Sequence, residues 1–229
     1  MRQKRIFYTE LAYVLGLAVL AVGTALMEKA DMGMSMVVAP AYLLHRKISL
    51  LLPWFSFGMA EYVFQALLLV LLCLVMGRGK KSYLFSFATA VFYGLMLDLA
   101  LAGAALFPAE SLPGRLGCYL GGMVLCSFGV ALLFRTYISP EAYELFVKEL
   151  STKHSWPISR VKTLYDCSSC LVGLALSFAF FGFGNFVGVK GGTVFCALVN
   201  GWLIGRCSTL LDKAFSFRDG LPLAKYFEI

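Results

Sequence analysis

The sequence predicts an all-α, polytopic membrane protein of about six transmembrane helices, and three observations carry that expectation. Of its 229 residues 60% are hydrophobic and only 14% charged, with a mean hydropathy of +0.79. A soluble domain carries roughly 25% charged residues, and no core of this size could hide so much apolar surface, so lipid must act as a second apolar solvent. Apolar runs of spanning length recur along the chain. The basic residues between those runs are unevenly shared.

The runs fall at about 6–27, 56–77, 82–105, 116–136, 164–183 and 187–211. Each must be helical, because lipid offers the backbone no hydrogen-bond partner. The first follows Arg2, Lys4 and Arg5 but leads into Glu28-Lys29-Ala30-Asp31 and no small-residue cleavage site, so it is expected to be retained. The last two are separated by Gly182-Phe183-Gly184-Asn185, as in a tight hairpin.

With a cytoplasmic N-terminus and six spans, fifteen of the 20 lysines and arginines lie on the cytoplasmic side. They are Arg2, Lys4, Arg5, Arg78, Lys80, Lys81, Arg135, Lys148, Lys153, Arg160, Lys162, Arg206, Lys213, Arg218 and Lys225. Lys29, Arg46, Lys47, Arg115 and Lys190 fall opposite. This is the positive-inside asymmetry, so the net charge of +7 speaks for orientation in a cell (plasma or inner) membrane with both termini cytoplasmic. It does not speak for nucleic acid, which would need a basic face away from the span flanks. The seven cysteines lie in or beside spans, and their odd number implies no disulfide framework.

Two stretches do not span. Asp31 to Pro53 contains the short apolar run Met32–Leu44, with Pro40 inside it, and fits an interfacial or re-entrant half-helix. Ser139-Pro140-Glu141-Ala142 reads as a helix start, with serine as cap and proline in the first turn. The charged body that follows, Tyr143 to Leu150, predicts a helix on the cytoplasmic surface.

The order span, short amphipathic piece, span, span occurs twice, over residues 1–110 and 111–229. Gly23 through Lys29 aligns with Gly129 through Arg135. Gly58, Glu61 and Gln65 align with Ser159, Lys162 and Asp166, and Thr89 with Thr193. Three spans per unit is odd, so a second copy enters from the other side, giving two inverted-topology repeats. Secondary transporters use this device, with the substrate site between the halves.

Three stretches resemble YczE/YitT-type bacterial membrane proteins. They are Gly23-Thr24-Ala25-Leu26 with Lys29-Ala30-Asp31-Met32-Gly33; Phe92-Tyr93-Gly94-Leu95-Met96-Leu97-Asp98; and Gly191-Gly192-Thr193-Val194-Phe195-Cys196-Ala197-Leu198-Val199-Asn200-Gly201. The chain departs from that pattern at Met34-Ser35-Met36. The resemblance implies a multi-span bacterial inner-membrane protein and carries over no activity and no catalytic residue.

Ionisable residues at membrane depth cost roughly 2.5–3.5 kcal/mol on insertion scales and are functional suspects. Asp98 sits far into the third span, with Gly94 one turn before it. It reads as a coupling carboxylate or ligand anchor, or as a structural partner of Arg206. Glu61 and Gln65 share a helix face, as do Lys162 and Asp166, and under the inverted arrangement these stripes converge. The alternative is that they sit in the headgroup layer. Cys167 and Cys170, one turn apart, read as small packing residues. So do Gly94, Gly117, Gly121, Gly188, Gly192, Gly201 and Gly205. The two histidines, His45 and His154, lie in flanking segments, so neither a metal nor a cofactor is expected. No hydrolase or nucleotide-binding signature occurs, and the chain is not expected to be an enzyme.

The expected function is a small secondary transporter or channel-like carrier for a small solute. Its site would draw on Asp98, Glu61, Gln65, Asp166, Lys162 and Arg206, and its partners would be the bilayer, the substrate and a possible second copy. Two alternatives stand beside it. One is a non-transporting scaffold docking a protein through residues 135–162. The other is the substrate-binding subunit of a multi-component importer.

Overall fold

The computed structural model describes residues 5–77, 79–106 and 111–222, apart from the side chains of Lys81, Ser82, Ile158 and Ser159. Arg2, Lys4, Arg78 and Lys225, counted above for orientation, lie outside the described residues. So does the side chain of Ser159, invoked in the repeat.

The described chain runs β1 (Arg5–Tyr8), α1 (Thr9–Ala30), α2 (Ala39–Ile48), α3 (Phe57–Met76), α4 (Lys81–Ala105) and α5 (Leu112–Leu133). It continues with α6 (Ala142–His154), α7 (Ile158–Phe181), α8 (Gly191–Ala214) and β2 (Phe215–Arg218). Among the described residues, α1, α3, α4, α5, α7 and α8 are long and apolar enough to cross a membrane. Their outward faces carry Leu74, Leu84, Leu99, Leu171, Leu198 and Trp202, all exposed. A surface of that kind belongs in lipid, and the protein is an all-α, multi-pass membrane protein.

Successive long helices alternate in direction. One end of the bundle joins the start of α1 to the end of α8 through the parallel β1–β2 pair, in register from Arg5 opposite Phe215 to Tyr8 opposite Arg218. At that end Glu10 accepts from the backbone N–H groups of Gly220 and Leu221. At the other end Asp31 closes α1 in the left-handed conformation, and Arg115 and Lys190 bind it there. The strand pair corrects the expected start of the first span: Arg5 to Tyr8 is extended because Phe7 packs on Phe215 and Phe217. The fifth span starts earlier than residue 164, since Lys162, which hydropathy reads as a flank, is buried within α7.

At the centre, α1 and α5 form the closest helix pair. A Cβ at Gly23 would come 2.7 Å from the Gly122 carbonyl oxygen, and one at Gly129 would come 2.8 Å from that of Gly16. Backbones meet there without side chains between them. The expected packing glycines divide. Gly94 meets the backbone of Gly58, Gly188 meets the Tyr42 ring, and Gly192 meets Met32 and Tyr119. Gly117, Gly121 and Gly205 face open space, and Gly201 has only Thr163 near it, at 4.0 Å. On α5, Gly121 and Gly117 sit about 100° and about 140° around the helix from Gly122, off the face that meets α1.

α2 and α6 are half-length, with 10 and 13 residues, or about 15 and 20 Å. Both pack between α3 and α7. Each begins inside the bundle and ends at opposite faces: Val38 to Ala41 and Ser139 to Leu145 are buried. Lys47 at the end of α2 reaches the Phe180 carbonyl at 3.2 Å, and Lys153 at the end of α6 reaches that of Val75 at 2.7 Å. The surface helix expected over 143–150 is therefore an inserted one. Two of its charges are met by protein, Glu149 by Lys80 and Glu144 by Lys162.

Candidate functional site

The chain entering α6 is fixed from α4. Ser86 Oγ donates to the Pro140 carbonyl at 2.7 Å, and Thr89 Oγ1 to that of Ser139 at 2.9 Å. These bonds satisfy two buried carbonyls in an irregular segment, as burial requires. Helix α6 then starts at Ala142, later than the Ser139 cap predicts. Glu141 holds the cap position without a side-chain capping bond. The cap comes from α3 instead: Gln65 Oε1 accepts the Ala142 N–H at 3.0 Å.

The Gln65 amide nitrogen faces two carboxyls. It donates to Glu61 Oε2 at 3.3 Å and to Glu141 Oε2 at 3.1 Å. Tyr143 also donates to Glu61 Oε2, at 2.8 Å. Glu61 is 0% exposed and Glu141 2%. The second oxygen of each, Oε1, has no hydrogen-bond partner. Among the described residues no lysine or arginine forms an ion pair with either carboxyl.

Lys162 binds the neighbouring two acids. Its Nζ lies 3.0 Å from Glu144 Oε1 and 3.3 Å from Asp166 Oδ1. Asn200 of α8 accepts from Ser127 of α5 at 3.0 Å. The cluster thus joins α3, α6 and α7 and gathers four buried carboxyls, of which Glu144 and Asp166 meet the Lys162 ammonium. Burial, reinforced by Glu61 and Glu144, pushes the Glu141 carboxyl well above the usual carboxylate range. The partial positive charge of the α6 N-terminus, where Glu141 sits, opposes that shift.

Two cavities flank the cluster. One of about 460 Å³ lies between α3 and α7, walled by apolar side chains with Tyr165, Ser168 and Ser169 among them. Tyr165 separates it from Lys162, whose Nζ stands 5.8 Å from the ring centre. The other, about 430 Å³, is lined by Arg135, Thr136, Lys148, Ser208 and Asp212 and has Pro140 in its wall, one residue from Glu141.

Of the residues expected to form a site, Glu61, Gln65, Lys162 and Asp166 come together here. Asp98 does not join them. It accepts from Ser56 Oγ at 2.6 Å and from the Gly58 N–H at 2.8 Å, so it ties α4 to the first turn of α3. Arg206 is exposed and stacks over Trp202 at 5.2 Å, and no bond joins it to Asp98. Glu141 and Glu144 join the site although their charged segment reads in the sequence as a surface helix. The available signal was Ser139-Pro140-Glu141, a carboxylate at a helix start inside a greasy chain. Among the described residues no group of three or more histidine, cysteine, aspartate or glutamate side chains is placed to hold a metal ion.

Residues 7–209 match DUF6198, a family of unknown function. No curated protein and no solved structure matches the chain.

Proposed function

We propose, from the premise that the chain belongs to the DUF6198 family, that it is a small secondary carrier whose substrate site is the buried cluster around Lys162. The observation that carries this reading is four buried carboxyls, Glu61, Glu141, Glu144 and Asp166, with a single buried lysine that bridges two of them. Burying charge costs several kcal/mol per ion, and a fold that needed only stability would do better with apolar side chains there. Transporters keep such groups because a solute or ion must be met inside the membrane.

The inverted repeat supports the same reading. The alignment of Gly23 with Gly129 extends to Gly16 with Gly122, and under it the two close contacts, Gly23 with Gly122 and Gly129 with Gly16, exchange. Lys29, at the end of α1, donates to the Ala104 carbonyl near the end of α4. Its counterpart Arg135, just past the end of α5, donates to the Ser208 carbonyl near the end of α8 at 2.6 Å. The half-length helices α2 and α6 each touch both α3 and α7. The likeness to YczE/YitT-type proteins, a plasma or inner membrane and cytoplasmic termini belong to this proposal. A second copy as partner does too, since six spans make a slim bundle.

The scaffold reading draws less support. Of the basic residues it would use, Lys162 is buried in the cluster and Lys153 is bound to Val75. Reconstituted liposomes offered a panel of small cations, amines, amino acids and anions should show protein-dependent uptake of at least one class. Lys162→Met should abolish that uptake. Absence of uptake across the panel, or full uptake by the variant, would sink the carrier reading.

A further inference from the structure

The Glu61–Glu141 pair is the part of the cluster with which, among the described residues, no lysine or arginine forms an ion pair. Lys162 neutralises Glu144 and Asp166 through short contacts. Glu61 and Glu141 receive only uncharged donors, Gln65 and Tyr143, and these reach only the Oε2 atoms. Each carboxyl keeps a fully enclosed oxygen with nothing bound to it. Two like charges buried beside one another cannot both persist. A positive charge has to be supplied from outside the chain.

We propose that Glu61 and Glu141 together hold one monovalent cation, a proton or an alkali-metal ion, through their unpartnered Oε1 atoms. Its role as the coupling ion rests on the carrier reading; its binding does not. The surroundings fit a small cation better than an organic one. Tyr93 of α4, Tyr13 of α1 and Cys126 of α5 lie within electrostatic reach of Glu141 or Glu61, and none carries positive charge. From α6 and α7 the facing groups are Tyr143, Glu144, Lys162 and Asp166, with Lys162 already engaged. Neither carboxyl lines the apolar cavity, so no bulky body reaches the pair from that side. The polar cavity, with Pro140 in its wall, offers the nearest open space.

The sign of the proton case follows from linkage. A carboxyl held protonated in the fold stabilises it at low pH, and that contribution is lost as pH rises through its folded-state value. The full chain in detergent should therefore melt at progressively lower temperature between pH 6 and pH 9. Glu61→Gln and Glu141→Gln, which imitate the protonated form, should flatten that dependence. If the occupant is an alkali-metal ion, sodium chloride should raise the wild-type melting temperature at pH 8 relative to choline chloride, and the variants should lose that rise. The difference between the wild-type and variant profiles isolates the pair.

Should a variant fail to fold, dicyclohexylcarbodiimide on the wild-type protein gives the same answer, since it modifies protonated carboxyls in apolar surroundings. Modification at Glu61 or Glu141, suppressed by high pH or by sodium, supports the proposal. Wild-type-like profiles in both variants, or no modification at either residue, overturn it. Binding without flux in liposomes would remove the carrier reading and leave the cation site standing. Flux with no such binding would do the reverse.

Discussion

Gln65 caps a helix to which it does not belong: its side-chain oxygen accepts the backbone N–H of Ala142 while its nitrogen serves both Glu61 and Glu141. One carboxamide therefore fixes the start of α6 and the geometry of the carboxyl pair. Gln65→Leu leaves a buried N–H and two carboxyls without that partner. Each lost bond of this kind costs roughly 1–3 kcal/mol. The variant should be destabilised by at least about 2 kcal/mol, read by unfolding in detergent. A change under 0.5 kcal/mol would show that α6 does not depend on this cap.

Lys162 should be the most sensitive single charge. Removing one partner from a buried ion pair costs about 3–5 kcal/mol because the other charge is left uncompensated. Lys162→Met therefore destabilises strongly. Adding Glu144→Gln should recover part of the loss, a coupling that a double-mutant cycle measures directly. Strict additivity of the two changes would mean that Lys162 and Glu144 do not interact in solution.

Asp98 offers the contrasting case. Its bonds go to Ser56 and Gly58 at the start of α3, a capping role worth about 1–2 kcal/mol. Asp98→Asn should lower the melting temperature modestly and leave uptake per folded molecule unchanged. Loss of uptake at unchanged stability would return Asp98 to the transport path.

The glycines separate by face. Gly23→Ala should destabilise the bundle by about 1–3 kcal/mol or more, because its methyl group would meet the backbone of α5. Gly121→Ala, open on its side, should stay within about 0.5 kcal/mol of wild type or gain slightly in helix propensity. Equal losses at both positions would contradict the observed register of α1 against α5.

The loops before α4 and after α6 should share a compartment. Cysteines placed singly at Gly79 and Ser155 in a cysteine-free background should both react with impermeant maleimide only after the cytoplasmic face is opened. Labelling of one of them from outside would break the antiparallel order of the helices, and with it the repeat.

The number and approximate limits of the spans were legible in the sequence because lipid leaves the backbone one solution, a helix of about twenty apolar residues. The convergence of Glu61, Gln65, Lys162 and Asp166 was legible because each pair shares a helix face. The place of α6 was not. Hydropathy registers Glu144, Lys148 and Glu149 as groups needing water and cannot register that Lys162 and Lys80 substitute for it. Asp98 misled for a related reason: depth in a span says nothing of the backbone N–H waiting across the interface. The strand pair is not legible in the sequence, because the four residues Arg-Ile-Phe-Tyr find their partner only at residue 215.

Where Gly16 meets Gly129 and Gly23 meets Gly122, the peptide groups of α1 and α5 abut directly. A joint whose tightest points set backbone against backbone resists rolling and sliding, so α1 and α5 behave as the keel of the molecule. Whatever rocking the protein performs belongs to the outer layer of α3, α6 and α7, which rests on the keel through α4 and α8. That layer is also where the charges are kept.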